Sequence, residues 1–198
     1  MNTLDYIYRY YKLSPTKDLP RVLLGCIMRR ELVHLFNKLE FKTGVEIGVM
    51  TGNFGRFLCT TIKGCHVYGI DPYKAYVEDD GLSPYSQDAL GKAWWKATER
   101  LACYNYDLIK EYSMDALKRF EDESVDFVYV DANHGYEFAL PDMTEWSKKV
   151  RPGGIVSGHD FNIPGVERAI REHTEANGID PWFILDGDRS PSWFYVKE

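Results

Sequence analysis

From residue 43 onward the chain keeps returning to one pattern: a short apolar run, a turn opening on a charge or a glycine, then a segment of helical periodicity. "GVEIGV" leads into "NFGRFLCTTI", and "CHVYGID" leads through a polar stretch into "DALGKAWWKATERLACY". "YDLIKEY" leads into "MDALKRFE", "VDFVYVD" into "EFALPDMTEWSKKV", and "GIVSGHD" into "GVERAIREHTEANG". "PWFILDGD" and "PSWFYVKE" read as closing strands. Apolar strands alternating with amphipathic helices specify an α/β fold, a mostly parallel seven-stranded sheet with helices on both faces. In such sheets a ligand sits beyond the carboxyl ends of the strands, near the switch in strand order.

A length of 198 residues favours one domain with a substantial core. Residues 1–40 read as a helical segment of that domain, and 41–198 as the α/β domain proper. Leu19, Leu23, Leu24, Ile27 and Met28, then Leu32, Val33, Leu35 and Phe36, recur at helical spacing, with Asp18 as cap and Pro20 in the first turn. Tyr6, Tyr8, Tyr10 and Tyr11 suit a helix packed on a neighbouring subunit better than a sugar-binding platform. No apolar window long enough for a membrane span and no secretory signal is visible. The 4 cysteines form no CxxC pair, as expected of reduced thiols in a cytoplasmic protein. A net charge of −6 argues against nucleic acid as a partner, although "MRRE" could contact an anion locally.

The end of the first of these strands carries the order Glu46-x-Gly48-x-x-x-Gly52. Glycines there let the backbone take positive φ and approach a ligand closely. The dinucleotide fingerprint GxGxxG presents a helix N-terminus to a pyrophosphate. Here the spacing differs, and a carboxylate precedes the first glycine, where a pyrophosphate would be repelled. A cofactor with a positive centre and no phosphate fits, and the sulfonium S-adenosyl-L-methionine is of that kind. Asp71 closes the next strand, where an acidic side chain can bind both ribose hydroxyls. Ser113 and Asp115 follow the third strand, in range of an adenine edge. A lone terminal aspartate is better explained by helix capping; the ordered set argues for a nucleoside site.

A second group follows the next two strands: Asp131 and His134, then His159 and Asp160. If those strands are neighbours, about 4.8 Å apart, four ionisable side chains crowd one rim. Such a crowd is costly unless a cation or substrate sits among them. A divalent metal is the natural occupant.

The stretch "GVEIGVMTGNFG…YGIDPY…DFVYVDANHGYEFALPDMTEWSKKVRPGGIVSGHDF" resembles class I S-adenosylmethionine-dependent methyltransferases, in particular methyltransferase family 24 and the metal-dependent macrolide-sugar O-methyltransferases. The resemblance implies a Rossmann-like fold, with Glu46 and Gly48 beside the methionine moiety, Asp71 at the ribose, and Ser113 and Asp115 at the adenine. It implies metal ligands at Asp131 and at positions 159 and 160, with His134 as general base. His159 stands where that pattern has an acidic residue. Magnesium prefers oxygen donors, so Asp131 and Asp160 alone would hold it, or the site takes manganese, iron or zinc. The expected reaction is metal-assisted O-methylation of a small hydroxylated acceptor such as a sugar or glycoside. The base is His134, with an ordinary pKa of about 6.5.

Other readings compete with this one. Two histidines and a carboxylate could recruit iron for oxygen chemistry, and a nucleoside-binding partner protein without catalysis is a third reading. A dehydrogenase is disfavoured by the missing GxGxxG. The polar 72–88 stretch is expected to close over the acceptor, Trp94 and Trp95 to sit in the core, and Asp142 to be structural. A homodimer is left open.

Overall fold

Period-two alternation sorts the apolar side chains of the central strands onto the two sheet faces. Val45, Ile47, Val128 and Val130 go to one core, and Phe127 and Tyr129 to the other. The computed structural model describes residues 1–14, 21–23, 27–76 and 85–198, with residues 21–23 described by backbone alone. Among these the chain runs α1 (Thr3–Tyr10), β1 (Arg21–Leu23), α2 (Arg29–Lys38), β2 (Thr43–Ile47), α3 (Asn53–Thr61), β3 (His66–Ile70), α4 (Gln87–Leu101) and β4 (Tyr106–Ile109). A one-turn α5 (Ser113–Ala116) follows, then β5 (Val125–Val130), α6 (Tyr136–Lys149), β6 (Val150–Gly158), α7 (Pro164–Ala176), β7 (Trp182–Leu185) and β8 (Ser192–Val196).

The strands form one sheet in the order β1-β7-β8-β6-β5-β2-β3-β4. The seven expected strands are all present, and β8 alone runs antiparallel to its neighbours β6 and β7. The strand order reverses between β2 and β5, so a cleft opens there beyond their carboxyl ends. β5 and β6 are parallel neighbours, with Val130 opposite Gly158, which places both halves of the acidic–imidazole group on one rim.

Helices cover both faces. Ile7 of α1 and Leu32, Val33, Leu35 and Phe36 of α2 join Phe127, Phe183 and Phe194 in one core. The Phe36 and Phe127 rings stack there at 4.4 Å. Opposite lies a second core, where Met143 and Trp146 of α6 and Ala169 and Ile170 of α7 pack on Val45, Val128 and Val156. Truncating a buried aromatic such as Phe127 to alanine would cost about 3–5 kcal/mol.

Two expectations are corrected, the extent of the amino-terminal helix and the place of Trp95. The helix anticipated across Leu19–Phe36 begins only at Arg29, and Arg21–Leu23 pairs in parallel with β7. The edge of β7 offers unpaired backbone groups, and an apolar segment gains more by completing that ladder than by starting a helix. The anticipated cap and first-turn proline, Asp18 and Pro20, with Leu19 and Leu24, lie outside the described residues. The amino-terminal tyrosines pack on the chain's own sheet: Tyr8 meets Phe183 edge-on at 6.2 Å and Tyr11 lies 6.4 Å from Phe194. Trp94 packs edge-on against Tyr73, but Trp95 points to solvent at 72% exposure.

Candidate functional site

Past the strand ends the backbone ladder continues for one more residue, and this draws the site together. The Gly48 N–H donates to the Ile70 carbonyl, Asp131 N–H to Ile47, and His159 N–H to Val130. Gly48 has φ +90, and a Cβ there would stand 1.9 Å from the Asp131 carbonyl oxygen. Only glycine allows β2 to pass so close to the turn after β5. Gly52, also at positive φ, caps α3 against Leu101. A cavity of about 330 Å³ lies above these ends, floored by Ile47, Gly48 and Ile70, with Asp71, Ser113 and Asp142 on one side and Asp131, His134 and Asp160 on the other.

Asp71 is 8% exposed and accepts three backbone hydrogen bonds. Its Oδ2 takes Val49 N–H and Met50 N–H at 3.1 and 2.9 Å, and its Oδ1 takes Tyr73 N–H at 2.8 Å. Burial pushes its carboxyl up, against the pull of those three donors. Asp71 therefore ties the glycine bend to the loop after β3 while still facing the cavity.

Glu46 corrects the expectation placed on it. Alternation sends its side chain beneath α3, away from the cavity, where Tyr106 donates its hydroxyl to Oε2 at 2.5 Å. Burial pushes its carboxyl up to about 8, so it is largely protonated at neutral pH and offers no anion to a sulfonium. A Cβ at Gly55 would meet Glu46 Oε2 at 2.6 Å, and one at Gly69 would meet the Tyr106 hydroxyl at 1.8 Å. Those two glycines form the slot through which Tyr106 reaches Glu46.

Ser113 lines the cavity and donates its hydroxyl to Asp142, a buried carboxylate of α6 at 4% exposure. Burial pushes Asp142 up to about 6, opposed by that hydrogen bond. Asp115, expected at the same place, instead lies on the outer side of α5, exposed and 3.8 Å from Lys118 Nζ. Helical geometry turns it away: one turn cannot aim both Ser113 and Asp115 into the same cavity. Tyr112 and Phe138, half exposed, flank the mouth, with Tyr76 and Tyr85 also on the wall. Residues 77–84 of the expected closing stretch lie outside the described residues.

The second group of ionisable residues converges, with one exchange of members. One ligand atom each of Asp131, His134 and Asp160 lie within 4.8 Å of one another. His134 Nε2 sits 3.0 Å from Asp160 Oδ2. His159 stands behind the carboxylates, its Nδ1 3.2 Å from Asp160 Oδ1 and 3.8 Å from Asp131 Oδ1. It is a bridge between them, whereas the sequence reading made it a ligand and left His134 outside the set. Burial would raise Asp160, but hydrogen bonds from His134 and His159 and their charges prevail and hold it well below the usual carboxylate range. Asp131 goes the other way, raised first by burial and only partly relieved by His159.

Arg29, set aside in the sequence as part of a local basic patch, belongs here. Its guanidinium lies 3.5 Å from Asp131 Oδ2 and over the Phe54 ring. Its backbone N–H donates to Asp188 at 2.8 Å, which anchors the start of α2 to the turn between β7 and β8. A basic residue at a helix start gives no sequence signal of that contact.

The profile of a methyltransferase-domain family matches residues 45–161, more than half of the chain. None of the curated proteins matches. Among solved structures, the chain is similar to an O-methyltransferase from Bacillus cereus in complex with SAH, at 15% identity, covering 98% of this chain and 90% of that one, with a TM-score of 0.63. The O-methyltransferase TomG from Streptomyces achromogenes, involved in tomaymycin synthesis and in complex with SAM, is 17% identical, with 99% and 90% covered and a TM-score of 0.59. Cofactor-bound Rv0187 from MTB is 14% identical, with 99% and 90% covered and a TM-score of 0.63. At these identities the likeness to the solved structures is one of fold. No helix among the described residues is long and apolar enough to cross a membrane.

Proposed function

The chain belongs to the methyltransferase-domain family matched over residues 45–161, and from that premise we propose that it moves a methyl group from S-adenosyl-L-methionine to a hydroxyl of a small acceptor, such as a sugar, a glycoside or another metabolite. The observation that carries this reading is one cavity shared by two chemistries, with Asp71, Ser113 and Asp142 at one end and Asp131, His134 and Asp160 at the other. Bound S-adenosyl-L-methionine supplies a methyl carbon made electrophilic by its sulfonium. Asp71, already tied to the glycine bend, offers its remaining acceptor capacity to ribose hydroxyls. Gly48 lets the methionine portion lie against bare backbone. The O-methyltransferases from Bacillus cereus and Streptomyces achromogenes, with SAH and SAM bound, support the same donor on this fold.

The donor set at the other end fits a divalent cation: two carboxylates and an imidazole nitrogen converge, and none is sealed from the cavity. Asp131 and Asp160 would hold the ion, which would supply Lewis acidity to an acceptor hydroxyl. A nitrogen at the edge of the set suits manganese, iron or zinc better than magnesium. Asp160 accepts from His134 Nε2 at 3.0 Å, which orients the ring and balances its charge, so His134 takes the acceptor's proton at its other ring nitrogen, Nδ1, as the oxygen attacks. The iron–oxygen alternative needs both histidines to converge with a carboxylate, and His159 lies outside that group.

Thermal-shift titration tests the reading. S-Adenosylhomocysteine should raise the melting temperature, NADH should not, and EDTA should leave the first effect in place while abolishing methyl transfer to hydroxylated acceptors. Saturable stabilisation by NADH without any by S-adenosylhomocysteine would overturn it.

A further inference from the structure

The start of α2 is clamped to the turn between β7 and β8. Arg29 N–H donates to Asp188 at 2.8 Å, and Gly187 N–H donates to the Ile27 carbonyl at 2.9 Å. A Cβ at Gly187 would stand 2.6 Å from the Ile27 backbone, so the two segments lie in close contact. From that clamp the Arg29 side chain crosses the Phe54 ring, its guanidinium carbon 5.2 Å from the centroid. Phe54 in turn packs 4.4 Å from the Tyr129 ring of β5. A loose surface arginine gains little from an ion pair, because pairing restricts a long side chain. Here the clamp and the ring already hold the stem, and the guanidinium ends 3.5 Å from Asp131 Oδ2. Arg29 is not part of the cavity wall, so it reaches Asp131 while leaving the space among Asp131, His134 and Asp160 open.

We infer that Arg29 is the resident countercharge of the cation site: its guanidinium shares Asp131 with a bound divalent ion, neutralises that carboxylate when the ion leaves, and so keeps the ion exchangeable. This rests on the cation reading proposed above. With the histidines neutral, Asp131 and Asp160 bring two negative charges to the site, and Arg29 leaves a net charge of one. A divalent ion is held less firmly by one net negative charge than by two. A guanidinium stays charged at every working pH, so the offset is constant. Without Arg29, an empty site would leave Asp131 beside Asp160 with only the imidazoles to relieve their repulsion. Arg29 therefore acts through Asp131, as a positioning residue.

The test measures Mn²⁺ affinity, by electron paramagnetic resonance of the free ion, in the wild-type protein and in Arg29→Gln, Arg29→Met and Arg29→Lys. Arg29→Gln keeps a hydrogen-bond donor and Arg29→Met keeps an apolar stem over Phe54, so either one that folds suffices. Both lose the charge, and Mn²⁺ should bind roughly tenfold to a hundredfold more tightly. Arg29→Lys keeps the charge and should stay within a few-fold of wild type, which a role in shape alone would not predict. Stability gives a second readout: in EDTA the uncharged variants should unfold at lower urea than wild type, and saturating Mn²⁺ should shift their midpoints further. A neutral variant of wild-type circular dichroism that binds Mn²⁺ no more tightly than wild type overturns the inference and leaves the cation reading standing. Arg29→Lys tightening as much as Arg29→Gln overturns it too, since charge would not be the cause. Should neither the wild-type protein nor the neutral variants bind Mn²⁺, the cation reading itself fails and the inference falls with it.

Discussion

The Tyr106 hydroxyl donates to Oε2 of Glu46 at 2.5 Å, joining β4 to β2 across the intervening β3. The phenol passes through the slot left by Gly55 and Gly69. Tyr106→Phe leaves the slot filled but deprives a fully buried carboxyl of its donor. The expected loss is about 1–3 kcal/mol of unfolding free energy, measured by urea denaturation, with little change in affinity for S-adenosylhomocysteine. A large loss of affinity with unchanged stability would place Glu46 at the cofactor after all.

Glu46 also makes stability depend on pH, with a sign that follows from its raised pKa. The group titrates near 4.5 when unfolded and at about 8 in the fold, so between those values the folded state holds a proton that the unfolded state has released. Stability therefore falls as pH rises through that window, by up to about 1.4 kcal/mol per pH unit from this group, and levels off above it. Glu46→Gln keeps an acceptor for Tyr106 and cannot ionise. The variant should lose this downward slope and gain on the wild-type protein steadily from pH 5 to pH 8. Parallel stability curves for the two proteins would show that Glu46 does not hold its proton.

Asp71 joins structure to binding, because its acceptors serve Val49, Met50 and Tyr73 before any ligand arrives. Asp71→Ala strands those N–H groups and releases the bend, so affinity for S-adenosylhomocysteine should become undetectable by calorimetry. Asp71→Asn keeps one acceptor oxygen but loses the charge, and should retain the fold with roughly tenfold or greater loss of affinity. Equal affinity in Asp71→Asn and the wild-type protein would confine Asp71 to the loop.

The sheet was legible in the sequence because each strand is an apolar run closed by a charge or a glycine, and nothing else folds that way at this spacing. Arg21–Leu23 was not, since a short edge strand has no alternation long enough to outweigh the helical spacing around it. Glu46 was misassigned although its facing was readable: Val45 and Ile47 flank it, so it must point to the other side of the sheet from both. What the sequence could not supply was Tyr106, its partner 60 positions away. Asp142 and Arg29 were missed for a related reason. Each sits on a helix whose contact with the site depends on how that helix docks, which local pattern does not encode. Asp131 and Asp160 were legible because they end parallel neighbouring strands, whereas the exchange of His134 for His159 depends on the turn geometry, including φ +56 at Asp160.

His134 decides between two uses of one nitrogen. As the base it takes the acceptor's proton; as a ligand its lone pair is committed to the cation. Since Asp131 and Asp160 already supply two oxygens, the assignment to the base predicts that His134→Ala leaves manganese affinity within a few-fold of wild type, read by electron paramagnetic resonance of free Mn²⁺. S-Adenosylhomocysteine affinity should also hold. Turnover should fall by about 10² to 10⁴, the contribution of a positioned proton acceptor. Asp160→Asn should behave in the opposite way, losing the cation along with the carboxylate that orients the ring. Were manganese affinity to collapse in His134→Ala as it does in Asp160→Asn, the imidazole would be the third ligand and another group would have to take the proton.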